Sequence, residues 1–528
     1  MAVCALMEQP VYYNPVLPGF YPDPSIVRVE EDYYLVTSTF EYYPGLPIFH
    51  SRDLFRWELI GHALHRPEQL DLSRRGSSRG LFAPTIRYHE GAYYVIVTDV
   101  DGIGNFYVSA PHPAGPWSEP IRIPYGGIDP SIMFDDDGKV YVTVQTGADE
   151  HSHIIQYEID IRTGRALTEP VAIFHGDEGP WVEGPHLYRI GGMYYVMTAS
   201  GGTGDRHREI IGRSKHPYGP YELLDHPILS HAELAGHPIR NTGHADLVEG
   251  PDGRWWAVFL GVRPVQGVYS VLGRETFLAP VRWQDGWPLI DANEGVVQLV
   301  MHAQGADAET PASEAGSPQR RPSLSFRDDF NGPELSNRWT FLRARPDKRR
   351  LSLRSGGGLR LLGNAYALGE AGPALFVCRR QRNVAMRASA EFDYRPRIEG
   401  EEAGIAARLS DEAFVKIGVS LEQGRRVIVA SRCHRGASET VVAAILSDEG
   451  AVALQIESDD RDYVLRYAPA GQSWQEAGRH PAPLLSPESN WCFTGTCIGL
   501  YATGNGKDGW TPADCRYFEY EDLDEGVR

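Results

Sequence analysis

The sequence predicts an all-β protein, a five-bladed β-propeller followed by a β-sandwich, and three observations predict it. One phrase recurs five times in the first 300 residues: a polar or small head, a proline or small residue, an apolar run, a tight turn and an aromatic-rich strand. The copies begin at Asp23, Ala83, Asp129, Glu183 and His244, spaced by 60, 46, 54 and 61 residues. Beyond about residue 323 the repeat stops, while short alternating strands between turns continue.

Each repeat opens as a hairpin, because alternating apolar residues flank a polar or glycine-containing turn. The turns are Glu30, Glu31 and Asp32; Glu90 and Gly91; Asp136, Asp137 and Gly138; Gly191 and Gly192; and Pro251, Asp252 and Gly253. Two more strands follow in each copy, as in IFHSRDLFRWELIG after the first hairpin and RETFLAPVRWQDGWPLI after the last. Four short antiparallel strands per repeat suit a propeller blade, since radial repetition buries each sheet between its neighbours. The propeller is expected over 14–300. HAQGADAETPASEAGSPQRRPS, rich in Ala, Ser, Pro and Gly without an apolar period, predicts a linker over 301–322. Over 323–522, MRASAEFDYRP, AFVKIGVSLE, RRVIVASRC and their neighbours predict the β-sandwich.

In a propeller the innermost strands start near one axial opening, so the five heads converge although they lie about fifty positions apart. Three carboxylates and a histidine around one funnel oppose one another's ionisation, a cost that points to function. An Asp before Pro also caps turns, but turn formers should be interchangeable between blades, and Ala83 takes one head while the others carry acid or imidazole. Pro185 and Leu187 match Pro24 and Ile26, which puts Gly184 opposite Asp23 and Glu183 one place earlier. Three carboxyls suggest glycoside hydrolysis, with a protonated carboxyl serving the leaving oxygen and an ionised one activating water.

NPVLPGFYPDPSIVRV, IDPSIMFDDDGK, WVEGPHLY, TGHADLVE and LGRETFLAPVRW occur in that order. On these segments the chain resembles glycoside hydrolase family 43, the β-xylosidases and α-L-arabinofuranosidases, over nearly its full length. The resemblance implies Asp23 as general base, Glu183 as general acid and Asp129 as the residue that positions the acid and raises its pKa. It also implies inversion, which needs base and acid about 6.5–9.5 Å apart. Arg274 resembles the family's active-site arginine, whose fork binds sugar hydroxyls and restrains a carboxylate; an ordinary salt bridge is the alternative. His244 falls where similar enzymes place an axial histidine, hydrogen-bonded in the core or turned through water to a bound cation such as calcium; the first role is preferred. Phe40 and Phe82 are the expected apolar walls of the sugar pocket, ahead of Tyr42, Tyr43 and Trp181. The second domain resembles the concanavalin A-like domain of bacterial β-xylosidases, in which a loop closes one side of the funnel. The loop expected here is TGNGKDGWTPAD with Trp510 at its tip, either over the site or packed between the domains.

The resemblance implies chemistry that requires no cofactor. His151, His153 and His207 lack convincing metal spacing and read as loop residues, and Asp135, Asp136, Asp137 and Gly138 read as a turn rather than a calcium loop. A formal net charge of −19 argues against nucleic acid or an anionic membrane as partner and suits a neutral oligosaccharide. Six scattered cysteines, none in the propeller proper, predict free thiols. Without a basic start or long apolar core, MAVCALMEQPVYYNP predicts a cytoplasmic enzyme. The expected activity is exo-hydrolysis of xylan-derived oligosaccharides, β-1,4-xylosidase first and removal of α-L-arabinofuranosyl branches second. A non-catalytic carbohydrate-binding propeller is the third reading, opposed by the presence of all three carboxylates.

Overall fold

The computed structural model describes residues 11–290, 296–302, 321, 323–447 and 449–524. Five antiparallel sheets of four or five strands follow one another around the propeller. Their head-proximal strands are Ser25–Val29, Thr85–His89, Ile128–Phe134, Glu183–Ile190 and Arg240–Glu249, at the five heads read from the sequence. The hairpin turns take the left-handed backbone that two-residue loops need: φ is 46° and 81° at Glu90 and Gly91, and 58° and 81° at Gly191 and Gly192.

Alternation puts apolar side chains between blades. Val36 and Ile48 pack with Ile86 and Val95, Ile96 and Tyr107 with Ile132 and Val142, and Met133 with Leu187. Ile26 and Leu35 pack with Leu247 and Val258, joining the fifth blade to the first. Val11–Tyr13 pairs with Val300–His302, tying the entering chain to the leaving one. These strands reach outside 14–300 because three residues carry too short a pattern to read. The expected linker lies outside the described residues except for Met301, His302 and Arg321, as does Cys4; the other five cysteines are unpaired thiols.

A polar network fills the interior where the head-proximal strands meet. Buried Asp246 accepts hydrogen bonds from Ser25 Oγ at 2.6 Å, Tyr188 Oη at 2.6 Å and Arg87 Nη1 at 2.8 Å. Arg87 Nη2 lies 3.1 Å from His186 Nδ1. Charge and donors hold the Asp246 carboxyl well below the usual range, with Arg87 the leading influence against burial. A buried carboxylate with this many partners ties four blades together.

The second domain is a sandwich of an eight-stranded sheet and a seven-stranded one, to which a propeller strand adds an eighth. One of them continues past Thr340–Leu342 into the propeller, where Tyr42 and Tyr43 pair with Leu342 and Phe341. Beside this shared strand, Arg408 Nη1 donates to Tyr42 Oη at 3.0 Å and its Nη2 to Asp411 Oδ1 at 2.6 Å. Arg343 Nη2 donates to Asp411 Oδ2 at 2.5 Å, and buried Glu41 accepts from the Ser78 amide at 3.0 Å. This paired cluster fixes the angle at which the sandwich meets the mouth of the propeller.

Candidate active site

Four of the five heads, all but Ala83, share one backbone device. Asp23, Asp129, Gly184 and His244 all lie in the left-handed region, at φ 54°, 54°, 60° and 53°. Register shifts accompany the last three, between Ile128 and Ser131, Glu183 and His186, and Gly243 and Asp246. Such bulges re-aim side chains at the start of a strand. Gly184, rather than Glu183, is the fourth head, as the alignment of the two prolines indicated. A Cβ there would lie 2.7 Å from His244 Nε2, so glycine admits the imidazole beside the acid.

The structure brings Asp23, Asp129, Glu183, His244 and Arg274 together. Asp23 is 4% exposed; its Oδ2 accepts from Ser38 Oγ at 2.5 Å and its Oδ1 from Arg274 Nη1 at 2.8 Å. Both donors stabilise a carboxylate. His244 Nδ1 is 3.6 Å from Asp23 Oδ1, and burial holds this imidazole below its ordinary pKa. Asp129 Oδ2 accepts from the Gly184 amide at 3.2 Å, which ties it to the residue after Glu183. The Glu183 carboxyl has no hydrogen-bond partner among the described residues. Burial pushes it up to about 7; the Asp23 charge adds to that and Arg274 opposes it. Burial, then the charges of Glu183 and Asp23, holds Asp129 well above the carboxylate range. Asp129 and Glu183 therefore titrate as a pair that retains a proton near neutrality.

Aromatic rings wall the site. Phe40 lies 5.1 Å from Phe82 between ring centroids and 6.0 Å from Phe493. The Arg274 guanidinium sits 5.8 Å from the Phe40 ring and 5.6 Å from that of Phe493, and its Nη2 donates to the Phe493 carbonyl at 3.3 Å. The sandwich thus supplies a wall, but not through Trp510. Trp510 is 52% exposed and lies under the Arg350 guanidinium at 4.4 Å, within its own domain. Gly509 is bonded to Gly363 and Thr511 to Glu401, which folds that loop back on the sandwich. Neither expected placement of Trp510 holds. The segment at the site is 493–495: the Phe493 amide donates to Ser78 Oγ at 2.9 Å, and a Cβ on Gly495 would stand 2.2 Å from the Leu272 carbonyl, two residues before Arg274.

Sequence reasoning also missed two buried supports. His207, expected as a loop residue, is 1% exposed and pairs through Nδ1 with the Asn241 carbonyl at 3.0 Å. Glu209 accepts from the Ala245 amide at 3.0 Å and braces the bulge that aims His244. An open surface depression of about 460 Å³ lies between blades two and three, lined in part by Asp99, Ile128, Gln145 and Trp181.

Residues 12–288 match glycosyl hydrolases family 43, and residues 327–521 match the beta xylosidase C-terminal concanavalin A-like domain. The chain is 41% identical over 524 residues to a Bacteroides ovatus protein named non-reducing end alpha-L-arabinofuranosidase BoGH43B, covering 98% of this chain and 96% of that one. It is 35% identical over 530 residues to a xylosidase/arabinosidase of Butyrivibrio fibrisolvens, covering 97% and 99%. Among solved structures, the Bacteroides ovatus xyloglucan PUL GH43B superposes with a TM-score of 0.88 at 41% identity, covering 97% of this chain and 100% of that one. A xylan beta-1,4-xylosidase from Bacillus halodurans superposes at 0.87 and 32% identity, covering 97% and 100%.

Proposed function

The chain belongs to glycosyl hydrolases family 43, and from that premise we propose that it is an inverting exo-glycosidase that removes a terminal pentose from xylan-derived oligosaccharides. One observation carries the reading. A carboxyl held near pH 7 by burial shares a funnel with a carboxylate bound by Ser38 and Arg274, which are the two states that acid and base need. Asp23 takes the proton of the attacking water, and Glu183, whose carboxyl has no hydrogen-bond partner among the described residues, gives its proton to the leaving oxygen. Asp129 steadies the acid through Gly184. Arg274 keeps Asp23 in place and, with Phe40, Phe82 and Phe493, shapes a pocket for one terminal sugar.

β-1,4-Xylosidase is the first specificity. The 41% identity to an alpha-L-arabinofuranosidase over nearly the whole chain supports arabinose removal as the second. Unpaired buried cysteines such as Cys378 and Cys497 fit the cytoplasmic location we also propose. Initial rates on 4-nitrophenyl β-D-xylopyranoside, 4-nitrophenyl α-L-arabinofuranoside, xylobiose and arabinose-branched xylooligosaccharides test the reading. Dominant xylose release supports the first specificity and dominant arabinose release the second, while silence on all four overturns the enzyme and leaves a binding propeller.

A further inference from the structure

Trp491 is 83% exposed, more than any other large apolar side chain among the described residues. Its backbone is left-handed, at φ 45° and ψ 82°, closing the short helix Pro487–Asn490. Glycine and asparagine usually take that position, and a bulky residue is strained there. Folding therefore gains little from this ring: it buries little area and forgoes the relaxed backbone that a smaller residue would have. Strain of this kind gathers at ligand sites.

Its surroundings indicate the ligand. The Trp491 ring lies 5.5 Å from that of Phe493, which in turn lies 5.9 Å from Phe82 and 6.0 Å from Phe40. Arg274, bound to Asp23, sits against Phe40 and Phe493. The rings form a stepped path from the base to solvent. The step is held in place: the Trp491 amide donates to the Pro487 carbonyl at 2.6 Å, Arg435 Nε to the Ser489 carbonyl at 3.0 Å, and the Phe493 amide to Ser78 Oγ. A flat, rigid apolar ring in water beside a sugar pocket matches the C–H face of a pyranose.

We propose that Trp491 is a stacking platform for a sugar unit of the substrate chain beyond the cleaved bond, so that the sandwich domain sets the preference for chain length. The proposal rests on the pentosidase reading above. In an exo-acting enzyme the terminal sugar fills the pocket, and every further unit extends outward past the pocket wall, the direction in which the rings step from Phe493 to exposed Trp491.

The experiment compares parent protein, Trp491→Ala and Trp491→Phe on a 4-nitrophenyl pentoside and on β-1,4-linked xylose chains of two, three and four units, arabinose-branched forms included. Trp491→Ala is expected to raise KM on the longer chains by about three- to tenfold, with kcat retained and the aryl pentoside unaffected; Trp491→Phe is expected to recover most of the loss. Identical length profiles for parent and Trp491→Ala overturn the proposal, and so does an equal loss on aryl pentoside and tetrasaccharide. A fall in sedimentation mass with an unchanged length profile assigns the ring to a contact between copies and also overturns it. A parent active on the aryl pentoside keeps the pentosidase reading whatever Trp491 does; a parent silent on every glycoside removes both.

Discussion

Replacing Glu183 with glutamine, which keeps shape and removes the titration, tests whether burial holds the acid protonated. The ordinary glutamate value is 4.5, and burial lifts Glu183 to about 7. Each pH unit between these values corresponds to about 1.4 kcal/mol. The raised value means that the folded protein keeps a proton the unfolded chain gives up. The associated stability is fully present below about 4.5 and is lost as pH rises through about 7. The full interval would amount to about 3 kcal/mol; because Glu183 is partly open to the pocket, we expect about 1–2 kcal/mol after solvent screening. Glu183→Gln should therefore be more stable than the parent at pH 8, by roughly 2–5 °C in the propeller's calorimetric midpoint, and nearly equal to it at pH 4.5. Relief of Asp129 from the neighbouring charge acts in the same direction. A midpoint change of the same size at both pH values, or a lower midpoint at pH 8, would refute the assignment of the raised pKa to this buried pair.

Further outcomes follow from the same geometry. With xylobiose or the preferred natural substrate, kcat/KM should fall as pH rises through about 7, where the Asp129 and Glu183 pair loses its proton; a flat profile to pH 8.5 contradicts this. Glu183→Ala should lose roughly 10²–10⁴-fold on natural glycosides and much less on aryl pentosides, whose leaving group needs little protonation, whereas Asp23→Ala should fail on both. Gly495→Ala places a methyl group 2.2 Å from the Leu272 carbonyl. It should cost about 1–3 kcal/mol by overpacking and depress activity by shifting Arg274 and Phe493, seen together in denaturant midpoints and rates. Phe493→Ala should weaken turnover of every pentoside, aryl substrates included, while Trp510→Ala should leave all rates unchanged.

The propeller was legible because its signal repeats. Head, hairpin and outer strands recur at matching offsets, which places Asp23, Asp129 and His244 around one opening from the sequence alone. The offset of Glu183 was legible from Pro185, and the structure explains it by the left-handed Gly184 beneath the His244 ring. What could not be read depends on contacts without a period. Phe493 is far from the propeller in sequence and reaches the site only because the sandwich sheet continues into Tyr42 and Tyr43. Trp510 and Trp491 both follow turn-forming residues and look alike as loop tryptophans. The Trp510 ring lies against Arg350 within its own domain, and the Trp491 ring lies against Phe493 beside the site. Glu209 and His207 sit at the start of a third strand, where a lone acid or imidazole reads as surface until the fold buries it.

The most direct test of the account is the configuration of the first sugar released, followed by proton NMR from the start of hydrolysis of the preferred pentoside. A base at Asp23 that activates water opposite an acid at Glu183 predicts the inverted anomer first, α-xylose from a β-xyloside, with the other appearing only by mutarotation. First appearance of the retained anomer would mean a covalent intermediate and would contradict the assignment of Asp23 as base.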